Sequence, residues 1–343
     1  MVVRLVRTAL AVLLAMGAMT EAVILAQTAA KTPAQAPAPL ILVSTAWPPF
    51  TNQPGQARVA LDLVETALGR FGMRATTTFV SAAQYTPALL EGRFDGSAAA
   101  WKDEDRERML IFSQPYLQNR LVLVGRRGAD VSAAKLADLK GARVAIVDGY
   151  SYGTASEMAG PAYVHATSEE DSLTRLLKGS VDYTLMDDLV VQSIISSYPE
   201  NAAARLQIGS TPLLRRDLSF AIRRSRPDAE AIISRFNAQL RGMMADRTYN
   251  QVLHMDWIRA DVNGDGVPEL IAGSDHPGPA QPMKAYSLFG EPDQMKGPGN
   301  QPGFYVGGTL YGDWASVPDS YKIGAAPAPD PRRASATIFT YKW

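Results

Sequence analysis

Apolar and polar positions alternate with two different periods between about residues 40 and 257. Short apolar runs predict strands at 40–43, 121–124, 144–147 and 183–186. Between these runs, apolar residues recur at helical spacing, as at Leu61, Val64 and Leu68. A long amphipathic helix is predicted over 228–252. Strands that alternate with helices predict an α/β fold, with a parallel sheet covered by helices.

The N-terminal segment departs from this pattern. Arg4 and Arg7 precede an almost wholly apolar stretch at 8–19. This layout predicts a secretory signal peptide over 1–26, because a membrane anchor needs about 20 apolar residues and this stretch is shorter. Residues 27–39 are rich in Ala, Pro, Thr and Gln and predict a flexible linker. We therefore expect a periplasmic protein without stable membrane insertion.

The C-terminal segment also differs from the middle of the chain. Residues 276–343 are dense in Pro and Gly but keep several aromatic side chains. Disordered segments are poor in aromatic residues, so an irregular extension that docks on the body is predicted. A terminal strand is predicted at 337–343.

Composition removes several classes of protein. The 343 residues include no Cys, which excludes a disulfide scaffold, a thiolate metal site and a lipid-anchored lipoprotein. Lys and Arg number 34, as do Asp and Glu. This neutral balance argues against a nucleic-acid partner, which would require a basic excess. The length allows two domains of about 150 residues each.

Aromatic rings follow three of the predicted strands. Trp47 and Phe50 belong to a Trp-Pro-Pro-Phe segment in which two prolines end the first strand. Trp101 follows a second strand. Tyr150 and Tyr152 lie in a glycine-bearing loop after a third, and a helix whose N-terminus faces the ligand is expected next. The carboxyl ends of parallel strands meet at one edge, so a ligand site is predicted there, with burial in the core as the alternative for Trp47 and Phe50.

Several motifs, in this order and spacing, resemble the family 3 periplasmic solute-binding proteins of the polar amino-acid importer type. The motifs are Trp47-Pro48-Pro49-Phe50, the helix with Asp62-Leu63-Val64, the Leu-x-x-Gly-x-x-Asp run ending at Asp95, Arg106 six residues before Phe112-Ser113-x-Pro115-Tyr116, and the late strand at 218–222 followed by a long helix. The resemblance covers about residues 40–257.

The resemblance implies a two-lobed fold whose lobes are joined by two crossing strands, near 119–125 and 214–220. Lobe one would comprise 40–118 and 219–257, and lobe two 125–213. In this family a ligand bound between the lobes closes the hinge, and the closed form is recognised by the permease of an ATP-driven importer. The implied partners are a small-molecule solute and an importer permease, and the expected state is a monomer.

The resemblance also implies a ligand site. Members that bind amino acids hold the ligand carboxylate with an arginine at the place of Arg106, whose guanidinium fits a planar carboxylate. They hold the ligand amine with an aspartate that corresponds to Asp187, with Asp188 as the neighbouring alternative. The alternative for Arg106 is a surface charge, and for Asp187 a helix N-cap, which is compatible with ligand binding.

The sequence departs from the amino-acid pattern in ways that change the expected ligand. Asp103 stands where Thr is frequent, and the strand before Arg106 has almost no hydroxyl residues. Tyr150 and Tyr152 stand where small hydroxyl residues are usual. A pocket walled by these two rings, Trp47 and Trp101 would be larger and more aromatic. Such a pocket favours an aromatic, cationic or non-amino-acid ligand, because ring faces attract cations.

An acidic loop over 258–275 predicts a Ca²⁺ site. Oxygen side chains stand at loop positions one, three, five and nine, and a backbone carbonyl at seven: Asp261, Asn263, Asp265, Glu269 and, for the carbonyl, Val267. All-oxygen coordination is what Ca²⁺ prefers. The twelfth position lacks the Glu of an EF-hand, so a structural ion in a propeller-repeat or dockerin-like loop is expected. The alternative is an acidic turn without metal.

Two other functional classes stay open at this point. The same bilobed fold carries enzymes, such as cyclohexadienyl dehydratases, and the sensor parts of larger proteins. The three histidines of the chain stand in no catalytic or metal-ligand spacing, and no phosphate-binding loop occurs. A binding protein is therefore expected, rather than an enzyme or a protein that acts through its C-terminal extension.

Overall fold

The computed structural model describes residues 38–263, 265–279, 285–288 and 302–323. The predicted signal peptide, most of the predicted linker and the predicted terminal strand at 337–343 lie outside the described residues.

A mixed sheet of nine strands forms the body in the described part of the chain, in the order β2-β1-β3-β9-β5-β8-β6-β7, with β4 also paired to β9. Its strands are β1 (Leu40–Ser44), β2 (Ala75–Phe79), β3 (Gly96–Trp101), β4 (Leu110–Phe112), β5 (Leu117–Arg126), β6 (Arg143–Val147), β7 (Ala162–Ala166), β8 (Tyr183–Asp187) and β9 (Leu206–Arg223). The helices are α1 (Val59–Gly69), α2 (Ala82–Leu90), α3 (Glu104–Met109), α4 (Glu169–Leu177), α5 (Asp188–Ser197), α6 (Pro199–Arg205), α7 (Ala229–Ala245) and α8 (Thr248–Leu253). The predicted α/β class is confirmed.

The apolar spacing of α1 explains how the first half is built. Leu61, Val64 and Leu68, which the periodicity marks as one face, are all completely buried. They pack in the same core as Leu40 and Leu42 of β1. A fully buried Leu or Val contributes about 1.5–3 kcal/mol, so this face fixes the helix on the sheet.

Two long antiparallel strands join the halves of the sheet. Strands β2, β1 and β3 lie on one side of β9, while β8, β6 and β7 lie on the far side of β5. Strands β5 and β9 pair with each other from Leu117 opposite Leu218 to Arg126 opposite Leu206. The predicted crossing strands near 119–125 and 214–220 fall within β5 and β9. The pairing register shifts twice between Leu121 and Val124, so the ladder is irregular at the middle of the crossing.

The Leu-x-x-Gly-x-x-Asp run is structural. Gly92 adopts a φ of 91°, a conformation in which glycine avoids strain. Asp95 then accepts a hydrogen bond from the backbone N–H of Ile41 at 2.8 Å and forms an ion pair with Arg226 at 2.9 Å. The motif therefore ties the start of β3 to β1 and to the turn that follows β9.

The prediction of one helix over 228–252 is wrong. The segment forms α7 and α8, separated at Arg247, whose φ of 69° lies in the left-handed region. The side chain of Asp246 accepts hydrogen bonds from the N–H and hydroxyl of Thr248 at 3.1 and 2.6 Å. Because this local side-chain bond offers the backbone an alternative to the helical ladder, it competes with continuation of the first helix.

The described residues of the C-terminal extension pack on the body and contribute three short strands to a second sheet. This second sheet has the order β12-β10-β11-β13-β14. Its strands are β10 (Trp257–Ala260), β11 (Glu269–Ala272), β12 (Tyr286–Ser287), β13 (Phe304–Val306) and β14 (Thr309–Tyr311). Ile258 and Ile271 are fully buried in the core of the body, so the second sheet shares that core.

Candidate functional site

The loop after β1 fixes the first predicted ring. Trp47 and Thr51 exchange backbone hydrogen bonds at 2.8 and 2.9 Å, which closes a tight loop that begins and ends at these residues. The indole of Trp47 points toward the second half of the sheet, where it meets Tyr150. Phe50 packs behind it at a ring distance of 4.4 Å and is 0% exposed. The structure therefore places Trp47 at the cleft and Phe50 in the core.

The end of β3 fixes the second ring and the helix that carries the arginine. The indole N–H of Trp101 donates to Oδ1 of Asn119 at 2.7 Å, so its orientation is set by the crossing strand β5. Asp103 is the N-cap of α3, and its Oδ1 accepts from the backbone N–H of Arg106 at 2.8 Å. This short helix positions Arg106 beneath the end of the strand.

Arg106 is 2% exposed. Its guanidinium donates to the carbonyl of Trp101 at 2.9 Å, the hydroxyl of Thr86 at 2.8 Å and the carbonyl of Gly149 at 3.5 Å. Its Nε lies 3.3 Å from Oδ2 of Asp103. Gly149 belongs to the second half of the sheet, so Arg106 bridges the two halves.

The loop after β6 brings the remaining rings to the same place. Gly149 has a φ of 79°, and a Cβ there would lie 2.6 Å from the carbonyl oxygen of Ala82 in α2. Glycine therefore permits the close approach of the two halves. The hydroxyl of Ser151 donates to Oδ2 of Asp103 across the cleft, and the hydroxyl of Tyr152 accepts from the N–H of Val147 at 2.9 Å.

The helix predicted after this loop is absent from the described structure. Residues 155–158 form a turn, and the chain then enters β7. Two exposed contacts hold the turn: Thr154 and Glu157 hydrogen-bond each other at 2.8 and 3.0 Å. The loop therefore presents side chains to the cleft, and not a helix N-terminus.

Four of the predicted rings form one cluster. Trp47, Trp101 and Tyr150 lie 5.5–5.6 Å apart in each pairing, and Tyr152 lies 5.6 Å from Trp101. Their planes are mostly tilted or perpendicular, which is the favourable arrangement for aromatic pairs. The cluster spans the two halves of the sheet, because the two Trp residues come from one half and the two Tyr residues from the other.

A small cavity lies at the centre of this region. Its lining comprises Ser44, Thr45, Trp47, Tyr85, Ala99, Trp101, Arg106, Tyr150, Ser151 and Leu218. The free volume is about 30 Å³, enough for about one or two water molecules. Phe50, Tyr152 and Asp187, although predicted as ligand residues, do not line it. Tyr85 and Ser151 line it and were not predicted.

Asp187 is engaged as a helix cap. It is 1% exposed and accepts from the N–H groups of Leu189 and Arg120 at 2.8 and 3.0 Å and from the amide of Asn119 at 2.9 Å. Burial, together with the neighbouring charge of Asp188, raises the pKa of Asp187 to about 7. The predicted Arg106 and Asp187 are therefore not brought together, and the N-cap role accounts for the Asp187 contacts.

Glu169 is a buried carboxyl group that the sequence does not reveal as a candidate. It follows the N-cap Ser168 at the start of α4 and is 6% exposed. Within the described chain, its Oε2 and the indole Nε1 of Trp47 have no partner in hydrogen-bond geometry. The indole nevertheless lies close enough to lower the pKa of Glu169 slightly. Burial, followed by the charge of Asp187, outweighs this and raises the pKa to about 8.

The second sheet reaches the crossing strands beside this region. The guanidinium of Arg120 in β5 donates to the carbonyl of Ser287 and lies 4.5 Å from the ring centre of Tyr286. The hydroxyl of Tyr286 donates to the carbonyl of Gln118 at 3.3 Å. Strand β12 is thus attached directly to β5.

The acidic loop connects β10 and β11 of the second sheet. One carboxylate oxygen from each of Asp261, Asp265 and Glu269 lies within 4.8 Å of the others. The amide nitrogen of Asn263 donates to Asp265 at 3.1 Å and to Glu269 at 3.0 Å. The N–H of Val267 donates to Asp265 at 2.7 Å. Burial, followed by the charges of the other two carboxylates, raises the pKa of Glu269.

The fold and the cavity together define a class of protein. Two α/β halves joined by two long strands, with a cavity between them lined by rings and a buried arginine, are the architecture of a two-lobed solute-binding protein. The family described as bacterial extracellular solute-binding proteins, family 3, matches residues 40–260. The chain belongs to this family.

Individual relatives agree with this assignment. The chain is 24% identical over 218 residues to the ABC transporter arginine-binding protein 1 of Escherichia coli strain K12, which covers 61% of this chain and 86% of the relative. The fold of the present chain is similar to that of an ancestral arginine-binding protein bound to arginine, with a TM-score of 0.54 and 22% identity. The match covers 64% of this chain and 98% of the ancestral protein. The fold is also similar to that of the amino acid ABC transporter substrate-binding protein AbpA of Streptococcus pneumoniae bound to L-arginine, with a TM-score of 0.52, 14% identity and coverage of 63% and 92%.

Among the described residues, no helix is both long enough and apolar enough to cross a membrane.

Proposed function

We propose that this protein captures a small cationic or amino-acid-like solute between its two lobes in the periplasm and delivers it to the permease of an ATP-driven importer. The observation that carries the proposal is the cavity between the halves, where Arg106 and the rings of Trp47, Trp101 and Tyr150 converge. The arginine-binding relatives support a solute that bears a cationic group. The protein acts as a monomer and leaves its ligand chemically unchanged.

The closed arrangement supports a capture mechanism. Arg106 contacts Gly149, and Asp103 contacts Ser151, across the boundary between the halves. The free volume of about 30 Å³ is too small for an amino acid, so a ligand enters when the halves separate. When the halves close on the ligand, the rings contact the ligand in place of one another. The ligand therefore binds the closed form more tightly than the open form.

Binding is tested with the purified protein by thermal-shift screening of the twenty amino acids and small amines, followed by calorimetry. Arg106→Ala is expected to weaken binding at least tenfold, because it removes a wall of the cavity and a contact between the halves. Arg108→Ala is the matched control, since Arg108 lies on the same helix with its side chain 65% exposed and paired to Glu104 and Asp105. Equal affinities in the two variants would contradict the site.

The same experiment tests the enzymatic alternative. Mass spectrometry of the ligand after incubation should recover it unchanged. Conversion of arogenate or prephenate would instead support a dehydratase. Binding that requires residues 276–343, measured after their deletion from a variant shown to remain folded, would favour a protein that acts through its C-terminal extension.

We further propose that the acidic loop holds one structural Ca²⁺ ion. Asp261, Asp265 and Glu269 supply carboxylate oxygens at close range. The backbone carbonyl of Val267 and the side-chain oxygen of Asn263, once that amide has rotated toward the ion, would complete the set of oxygen ligands. The ion would relieve the mutual repulsion of the carboxylates and tie β10 to β11.

A further inference from the structure

The contacts of Arg106 leave little capacity for a ligand carboxylate. Its guanidinium donates to Thr86, Trp101 and Gly149, and the Asp103 carboxylate lies 3.3 Å from its Nε. A ligand carboxylate would have to use the few N–H groups left over, the Nε one among them, and there it would face the negative charge of Asp103. Like charges at close range are unfavourable, more so in a buried site than in water. Arg106 and Asp103 therefore form an internally neutral pair.

A second carboxyl group near the cluster is buried without a cationic partner among the described residues. Glu169 is buried next to Trp47, and its Oε2 has no hydrogen-bond partner among the described residues. An ionised carboxylate in such a place is costly unless a cation pairs with it. Asp187, the nearest acidic neighbour, adds negative potential at Glu169, while its own oxygens are occupied by Asn119 and two backbone N–H groups.

The rings around this carboxyl group favour a positive charge. Trp47, Trp101 and Tyr150 come within 5.6 Å of one another, and the Trp47 indole is the neighbour of Glu169. Aromatic faces attract a cation within about 6 Å of the ring centre, most strongly when water is excluded. A buried carboxyl group near such a cluster of rings is the chemistry that selects an organic cation.

Resting on the proposed function, we propose that the cleft selects a small organic cation that carries no carboxylate, and that Glu169 pairs with its positive group beside the faces of Trp47 and Tyr150. One positive charge then balances Glu169, while Arg106 and Asp103 continue to balance each other. The ligand enters the open form, because the rings leave a volume of only about 30 Å³ when they are in contact.

Calorimetry with two pairs of probes tests this proposal directly. Agmatine and arginine differ by the carboxylate, as do choline and glycine betaine. The proposal expects the carboxylate-free member of a pair to bind at least tenfold more tightly. Glu169→Gln should weaken that binding at least tenfold, because it removes the negative charge that pairs with the cation. Glu170→Gln, on the same helix turn, is the matched control and should leave it unchanged.

A second variant tests the neutral pair. Asp103→Ser retains an N-cap oxygen for α3 but frees the Arg106 guanidinium from its carboxylate neighbour. It should raise the affinity for arginine or glycine betaine at least tenfold relative to agmatine or choline. This gain of binding cannot result from misfolding, so it keeps the test independent of any stability defect in Glu169→Gln.

The outcomes separate the two proposals. Tighter binding of arginine than agmatine, or of glycine betaine than choline, would overturn the selection of a carboxylate-free cation and leave the capture function intact. Equal loss in Glu169→Gln and Glu170→Gln would overturn the role of Glu169. Failure of every amine and amino acid to bind would overturn both this proposal and the proposed function.

Discussion

Glu169 makes the stability of the protein depend on pH. Burial, with a contribution from Asp187, raises the pKa of Glu169 to about 8 from an ordinary value of 4.5. Between these two pH values the folded state holds a proton that the unfolded state has lost. The free energy that Glu169 contributes to folding is therefore fully present below pH 4.5 and is lost as the pH rises through 8.

The magnitude follows from the size of this pKa difference. One pKa unit corresponds to about 1.4 kcal/mol, so the change for Glu169 has an upper limit on the order of 5 kcal/mol. Asp187, with its pKa raised to about 7 by burial and by Asp188, loses stability over an overlapping range. Glu169→Gln keeps the shape of the side chain but cannot ionise, so comparison with this variant isolates the part that belongs to Glu169.

The assay is urea unfolding followed by circular dichroism between pH 5 and pH 9. The free energy of unfolding of the unmodified protein should fall over this range, and that of Glu169→Gln should fall by at least about 2 kcal/mol less. Glu170→Gln, at a part-exposed position where burial also raises the pKa, should stay closer to the unmodified protein than Glu169→Gln does. Parallel curves for all three proteins would refute the burial argument, because an exposed carboxyl group at position 169 would titrate near its ordinary pKa in both states.

Two further predictions concern the body and the acidic loop. Gly96→Ala should lower the free energy of unfolding by about 3 kcal/mol or more, because a Cβ there would lie 1.9 Å from the carbonyl oxygen of Ala221. The control Gly69→Ala has open space around the added Cβ, so its effect on the free energy of unfolding should be neutral or slightly stabilising. Similar losses of stability in both variants would contradict the steric argument. Ca²⁺ should raise the melting temperature, and chelation or Asp265→Asn should remove the increase; a melting temperature indifferent to chelator would exclude the ion.

The sequence predicts those features that depend only on neighbouring residues in the chain. Trp47 and Trp101 stand directly after apolar strands, and the ends of neighbouring strands necessarily meet at one edge of the sheet. Their convergence could therefore be predicted before the fold was known. The α/β class follows for the same reason, because it depends on alternating periods and not on the details of packing.

The acidic residues of the cleft could not be assigned in this way. Asp187 and Glu169 both stand at helix starts, where an acidic residue is favourable in any protein. What separates them is tertiary: three donors surround Asp187, whereas Oε2 of the buried Glu169 has no hydrogen-bond partner among the described residues. A usable signal existed in the position of Glu169 after β7, at the same sheet edge as the loop that follows β6.

The second sheet escaped prediction because its partners are distant and its strands short. Leu270 pairs with Phe304, and Ile258 pairs with Tyr286, across segments rich in Pro and Gly. Strands of two to four residues carry almost no periodicity. The break between α7 and α8 has a local cause, the hydrogen bonds that the Asp246 side chain accepts from Thr248. The apolar residues on both sides continue the helical spacing, so the break is not visible in the sequence pattern.

The place of β9 in the sheet has a consequence for how the chain is made. Ser97 of β3 pairs with Ala221, which is synthesised 124 residues later. Closing a loop of this length costs on the order of 4 kcal/mol of chain entropy before any contact compensates. At roughly 5–20 residues per second, the nascent chain waits on the order of 10 s for this partner. Until β9 arrives, the backbone N–H and C=O groups on the inner edge of β3 lack their partner strand, and the first lobe completes its folding only near the end of the second.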